Sequence, residues 1–144
     1  MRKLVENVSH NGNYMLNISP KSDGTIPEEQ KQILLGVGNW LSINGDGIYG
    51  TRAWKTDKDG PFRFTTKGKS LYAIALQWSD TALTIGSLPL SAGKVSGISL
   101  FGNKGKINFS QSNSGLKITF PTEKPCDYAF VFKIEGIVIN DVAN

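Results

Sequence analysis

Between two segments of helical periodicity lies a single short apolar run, Tyr14-Met15-Leu16-Asn17-Ile18, bounded by Pro20. It reads as a β-strand. A strand carries a row of backbone N–H and C=O groups that must find partners, and one strand cannot satisfy itself. An apolar strand between two helices is the repeating unit of a parallel sheet buried on both faces. Only one such unit is present. Its neighbours must come from the rest of the chain, from another copy, or from other polypeptide.

The flanking helices are legible from spacing. Leu4, Val5 and Val8 recur at helical intervals over Arg2 to Ser9, and Asn11-Gly12 stops that run, so it reads as the end of a helix. Lys21 to Gly24 forms a turn. Pro27 then opens a second helix, with Glu28 and Glu29 at its positive end. Ile33, Leu34, Val37, Trp40 and Leu41 make one apolar stripe, and Asn44-Gly45 ends it. Pro27 to Ile43 would span roughly 25 Å at about 1.5 Å per residue.

From about Thr51 the period changes. Phe62-Arg63-Phe64-Thr65 and Leu71 to Leu76 flank Lys67-Gly68-Lys69, a hairpin signal. Ala82 to Ile85, Val95 to Phe101, Lys106 to Ser110, Leu116 to Phe120 and Tyr128 to Ile134 follow as short runs separated by turn residues. Asp57 to Pro61 reads as the turn into this region. Seven or so short strands at this spacing imply an antiparallel β-sandwich. The expected fold is therefore mainly β, with residues 1–50 as a helix-strand-helix piece and 51–144 as the sandwich. No tandem repeat stands out.

Several function classes fall away. The net charge of +4 comes from lysines scattered between Lys3 and Lys133, which describes a solvated surface rather than a nucleic-acid groove. No apolar run reaches the roughly eighteen residues a membrane span needs, and Leu4-Val5-Glu6-Asn7 is too polar for a signal peptide. Any export signal would lie outside this chain. Cys126 and His10 are each alone in their kind, so an ordinary Cys/His zinc site is out of reach. No Gly-x-Ser-x-Gly elbow accompanies His10 to suggest a hydrolase triad. Gly68-Lys69-Ser70 lacks the glycine that a phosphate loop requires, because Arg63 occupies its place. The triplets at Asn7, Asn17 and Asn108 fit the glycosylation pattern, which chance often supplies. No cofactor and no metal is expected.

Glycoside hydrolysis needs two carboxyls facing one bond. Glu28 and Glu29 answer to the helix dipole, Asp57 and Asp59 to a turn, and Glu123 and Asp127 to a loop around Pro125; none of these pairs has reason to converge. Trp78, Tyr72 and Tyr128 could stack on sugar rings, although packing is the commoner role for such side chains.

The stretch from Asn11 to Trp54 resembles the segment that closes the catalytic domain of α-L-fucosidases, the retaining glycoside hydrolase family 29. That pattern runs Asn-Gly-Asn, three apolar residues, Asn-Ile-Gly-Pro, Asp-Gly-x-Ile-Pro, a Gly-x-Trp-Leu helix and Asn-Gly-Glu-Ala-Ile-Tyr-Gly-Thr. It is matched at Asn11, Gly12, Asn13, Asn17, Ile18, Pro20, Asp23, Gly24, Ile26, Pro27, Gln30, Gly38, Trp40, Leu41, Asn44, Gly45, Ile48, Tyr49, Gly50 and Thr51. It departs at Ser19, Asp46 and Gly47, where the pattern has Gly, Glu and Ala.

The resemblance implies a (β/α)8-like barrel followed by a C-terminal sandwich. Arg2 to Ser9 would be the end of a late barrel helix, Tyr14 to Ile18 the last strand, and Pro27 to Ile43 the last helix. Barrel active sites lie at the C-terminal ends of the strands. Asn17 would sit there, at the edge of a fucose pocket or as a hydrogen bond pinning the Lys21 to Gly24 turn, with Tyr14 a weaker candidate for lining the pocket. The family's nucleophile and acid/base belong to earlier strands, so no catalytic residue is assigned here. The resemblance further implies a fucosylated glycan as the partner of the parent enzyme and an extracytoplasmic location. Removed from its barrel, the chain would be inactive and would tend to repack or to form a homo-oligomer. The alternatives are a carbohydrate-binding module and a purely structural sandwich.

Overall fold

The structure, a computed structural model, describes residues 1–137; the last seven residues of the expected sandwich, 138–144, lie outside the described residues. Helix α1 spans Arg2–Ser9 and α2 spans Glu28–Asn44, followed by a short 3-10 turn at Gly45–Gly47. Eight strands follow: β1 (Arg52–Asp59), β2 (Phe62–Lys67), β3 (Ser70–Ala75), β4 (Leu83–Ile85), β5 (Gly97–Leu100), β6 (Phe109–Ser112), β7 (Gly115–Ile118) and β8 (Phe130–Glu135). They form a five-stranded sheet ordered β1-β2-β3-β8-β5 and a three-stranded sheet ordered β4-β7-β6. All pairings are antiparallel. The mainly β expectation holds.

The alternation along β3 and β8 explains the layers. Leu71, Ala73 and Ala75, with Phe130, Phe132 and Ile134, point between the two sheets and meet Phe62, Phe64, Ile85, Leu116 and Ile118. The intervening Tyr72, Ile74, Ala129 and Val131 point the other way, into a second core with Val5, Trp40 and Ile48. The large sheet is thus buried on both faces, which is why Leu71 to Leu76 reads as an unbroken apolar run.

Helix α1 ends in a complete Schellman motif. Asn11 takes the left-handed conformation (φ 60°). The Gly12 N–H donates to the Asn7 carbonyl at 2.7 Å and the Asn11 N–H to that of Val8 at 3.1 Å. Gly12 is needed for another reason: a Cβ there would fall 2.9 Å from the Asn7 oxygen.

Two expectations need correction. Tyr14 to Ile18 forms no strand; it is an extended, largely exposed loop. No strand lies alongside it among the described residues, and an unpaired strand is not stable. Asp57 to Asp59 belong to β1 rather than to a turn, and only Gly60-Pro61 connect β1 to β2. Edge strand β1 buries only Ala53 and Trp54, and its register shifts between Ala53 and Lys58, so its apolar signal is weak.

Candidate functional site

The first fifty residues join the large sheet through a few specific bonds. Asn11 Oδ1 accepts from the Ala53 N–H at 2.6 Å, fastening the end of α1 to β1. Arg63, on β2, pairs with Glu6 at 3.2 Å. His10 places both ring nitrogens on acceptors: the Glu6 carbonyl at 2.7 Å and the Asp57 carboxylate at 2.8 Å. The Glu6 carbonyl first, and Asp57 second, hold the His10 imidazole above its ordinary pKa. The same contact holds the Asp57 carboxyl below its own.

A second joint links the end of α2 to the large sheet. Trp40 is buried and its indole N–H donates to the Ala129 carbonyl at 2.8 Å. Asn44 donates to the Trp40 carbonyl at 3.1 Å. Asp46 receives Lys67 Nζ at 2.7 Å and the Tyr72 hydroxyl at 2.6 Å. Lys67 first, then Tyr72, depress the Asp46 carboxyl. Burial, and secondarily Asp46, raise the Tyr72 phenol well above its usual value. Thr65 donates to the Gly47 carbonyl at 2.7 Å and Thr51 to that of Ile48 at 2.8 Å. Asn44 to Thr51 therefore works as a hinge plate between helix and sheet.

Beyond this joint the N-terminal segment is uncovered. Of α2 only Trp40 and Asn44 are buried, while Ile33 and Leu35 are exposed. Met15, at 90% exposure, lies almost wholly in solvent, and Tyr14, Leu16, Ile26 and Tyr49 are exposed as well. An open cleft of about 710 Å³ sits between the end of α1, the Asn11 to Tyr14 loop and the Ile48 to Arg52 segment. Leu4, Val8 and Ile48 line it together with Tyr14 and Tyr49. No carboxylate lines it.

Tyr14 belongs to that lining and Asn17 does not, so the structure does not bring the two together. Asn17 Oδ1 accepts from its neighbour's N–H, that of Ile18, at 3.0 Å. The turn at Lys21 is pinned instead by Asp23, which accepts from the Thr25 N–H and hydroxyl at 2.9 and 2.7 Å. Gln30 ties the loop to α2 by accepting from the Ser19 N–H at 2.8 Å. Of the aromatic trio, Tyr72 is core, Trp78 packs edge-on against Phe120 and Phe130 at 5.1 and 4.7 Å, and Tyr128 alone is exposed.

Among the described residues, carboxyls of α1, α2 and β1 are engaged by other groups. Asp46, Asp57, Glu6 and Glu28 are engaged by Lys67, His10, Arg63 and Lys31 respectively. Asp59 accepts from the Ser87 N–H at 2.8 Å. Asp23, Glu28, Asp46 and Asp57 are all held low, by Thr25, Gln32, Lys67 and His10 first in each case. A general acid needs the opposite displacement. Among the described residues no group of three or more His, Cys, Asp and Glu side chains could hold a metal ion, and no helix is long and apolar enough to cross a membrane.

Comparison with known proteins agrees with the pattern read at Asn11 to Trp54. Residues 1–46 match the family model for α-L-fucosidase, and residues 56–135 match that for the α-L-fucosidase C-terminal domain. The human tissue α-L-fucosidase is 34% identical over 143 residues, which is 94% of this chain and 30% of that protein. The Branchiostoma floridae α-L-fucosidase is 33% identical over 144 residues, 94% of this chain and 32% of that protein. Among solved structures, α-L-fucosidase isoenzyme 1 of Paenibacillus thiaminolyticus superposes with a TM-score of 0.82 at 30% identity, over 95% of this chain and 34% of that one. The Thermotoga maritima α-fucosidase in complex with fucose gives 0.77 at 36% identity, over 92% and 32%. The chain spans about a third of the length of these relatives. With its β-rich portion matching the family's C-terminal domain along most of its length, the chain belongs to the α-L-fucosidase family, as a C-terminal part of that fold.

Proposed function

We propose that the chain closes and braces the catalytic barrel of an α-L-fucosidase that removes terminal α-linked L-fucose from glycans with retention, and that it is inactive alone. The observation that carries this reading is an imbalance of burial. Both faces of the large sheet are filled, whereas Ile33, Leu35, Tyr14, Met15 and Tyr49 are exposed. Soluble domains rarely leave such a set bare unless something docks there. In a chain a third as long as its relatives, the natural cover is the catalytic unit.

On this reading residues 1–50 are the closing segment of the barrel and 51–144 the sandwich that supports it. Tyr14 and Asn17 stand at the edge of the fucose pocket only once the loop carrying them is drawn into the barrel as its last strand. The partner of the assembled enzyme is a fucosylated glycan, in keeping with the Thermotoga maritima α-fucosidase, whose structure was solved in complex with fucose. The location is extracytoplasmic, consistent with a relative called plasma α-L-fucosidase in Pongo abelii, 28% identical. Retaining hydrolysis requires a nucleophile and an acid/base about 5 Å apart, and the engaged, low-pKa carboxyls described above do not supply them. The test is chromophore release from an aryl α-L-fucoside by the purified chain. None is expected, and turnover would overturn the reading.

A further inference from the structure

The lysines are spread along the chain, but the acids are not. Between Asp80 and Glu123 the sequence holds Lys94, Lys104, Lys106 and Lys117 and no carboxyl side chain. Of 16 Lys and Arg and 12 Asp and Glu, this stretch takes four bases and no acid, which leaves twelve of each elsewhere. The whole formal charge of +4 therefore belongs to one stretch, that of β4, β5, β6, β7 and their connections.

The fold gathers this charge on one side. Ile107, Leu116 and Ile118 are buried between the two sheets. Side chains alternate along a strand, so Lys106, Asn108 and Ser110 turn to the outer face, and Lys117 and Thr119 on β7 do the same; all five are exposed. Lys117 is central, opposite Ser110 on one side and Thr84 on the other. Lys106 lies four residues from Ser110 along the chain, roughly 13 Å in extended backbone. Lys104 stands in the connection that leads to Lys106. Lys94 is held beside β6 by Gln111, whose Oε1 accepts from the Val95 N–H at 3.0 Å and whose Nε2 donates to the Gly93 carbonyl at 2.9 Å.

Among the described residues no ion pair engages any of these four lysines. A soluble surface ordinarily intersperses both signs. Charges more than about 8 Å apart are largely screened at physiological salt, so carboxylates on distant elements do not neutralise this face. Its position matters as well. The large sheet packs on the small sheet with one face and on the Val5 and Trp40 cluster with the other. The outer face of the small sheet is thus turned away from the helical segment.

We propose that this outer face binds an anionic glycan, a sulfated polysaccharide containing fucose, and so holds a polymeric substrate to the enzyme. The choice of a glycan rests on the proposed function. The ammonium groups of Lys106 and Lys117 pair with sulfates as point charges. Thr84, Asn108, Ser110 and Thr119 offer hydroxyls and an amide to the sugar oxygens between them, and none of these side chains could anchor in a bilayer.

The experiment is calorimetric titration of the whole chain with oligosaccharides of a sulfated α-L-fucan, and with the same oligosaccharides after desulfation. The sulfated form should bind and the desulfated form should not. Raising the salt fourfold should weaken binding on the order of tenfold, because condensed counterions are released on contact. Lys106→Gln with Lys117→Gln should weaken it by a similar factor. Lys104→Gln with Lys106→Gln, both outside the strands, should also weaken it, and circular dichroism reports that each variant is folded. Lys3→Gln with Lys21→Gln removes the same net charge elsewhere and should change affinity less than about twofold. No binding of the sulfated fucan, equal binding of the desulfated one, or an equal loss in the Lys3 and Lys21 control would overturn the inference. Tighter binding of anionic phospholipid vesicles or duplex DNA would overturn the assignment to a glycan. Turnover of an unsulfated aryl α-L-fucoside by a barrel completed with this chain reads the proposed function separately. That turnover without sulfated-fucan binding would sink this inference alone.

Discussion

Gly47 stands where the family pattern has alanine, and restoring that alanine should weaken the fold. A Cβ built on Gly47 falls 2.8 Å from Val131 Cγ1, 3.6 Å from Val131 Cγ2 and 3.5 Å from Tyr72 Cδ1. Carbon atoms rest at about 3.5–4.0 Å, so the valine methyl must retreat by roughly 1 Å. Val131 is fully buried on β8, between β3 and β5, and its β-branched side chain has little freedom to turn. Overpacking of this kind costs ~1–3 kcal/mol. Gly47 is not at positive φ, so alanine also restricts the unfolded chain, a gain of ~0.4–1 kcal/mol. The net for Gly47→Ala is a loss of about 1 kcal/mol. Val131→Ala alone removes two buried methyl groups and should cost about 2 kcal/mol. In that background the obstruction is gone and the sign reverses: Gly47→Ala should stabilise by ~0.5–1 kcal/mol. Urea unfolding followed by tryptophan fluorescence on the four members of the cycle measures this. A stabilising Gly47→Ala in the original background, or effects that simply add, would refute the packing argument.

The His10 imidazole, accepted on both nitrogens, should titrate above the ordinary ~6.5, and Asp57→Asn should lower its midpoint; a ring titration by NMR at or below the ordinary value would contradict the latch. A raised histidine contributes stability that is fully present below its unfolded pKa and is lost as pH climbs through the folded one, so α1 should fray first toward alkaline pH. Asn11→Ala should cost about 2 kcal/mol, from a strained left-handed position and a lost bond to Ala53. Asn11→Gly should cost about half as much, because it keeps the conformation and loses only the bond; equal losses in thermal unfolding would count against the assignment. The uncovered apolar residues of α2 and its preceding loop should drive the free chain to associate as its concentration rises, read by light scattering, and a monomer at every concentration would speak against an exposed docking face.

What could be read from the residues depended on whether a signal was local. Leu71 to Leu76 announced itself because both of its faces are covered, and the Lys67 to Ser70 hairpin because Gly68 sits in its turn at φ 60°. Strand β1 was hidden, since an edge that buries Ala53 and Trp54 and otherwise faces water looks like loop. Asn11-Gly12 marked the end of α1 but could not say that asparagine, not glycine, takes the left-handed position, because that choice is coupled to Ala53, 42 residues away. Asp46 meeting Tyr72 is likewise non-local. The run at Tyr14 to Ile18 has the composition of a strand and lacks a partner, so composition alone misdirected. Tyr128 carried no signal of its left-handed backbone (φ 71°), for its conformation is imposed by Trp40 and Cys126 bonding the carbonyl that follows it.

The direct test of the central claim is a transplant. The C-terminal third of the Thermotoga maritima α-fucosidase is replaced by this chain, and kcat/KM is measured on an aryl α-L-fucoside beside the truncated enzyme that lacks the third. A brace that completes the barrel predicts turnover by the chimera and none by the truncated enzyme. A chimera that folds, by circular dichroism and sedimentation, yet shows no more turnover than the truncated enzyme would contradict it.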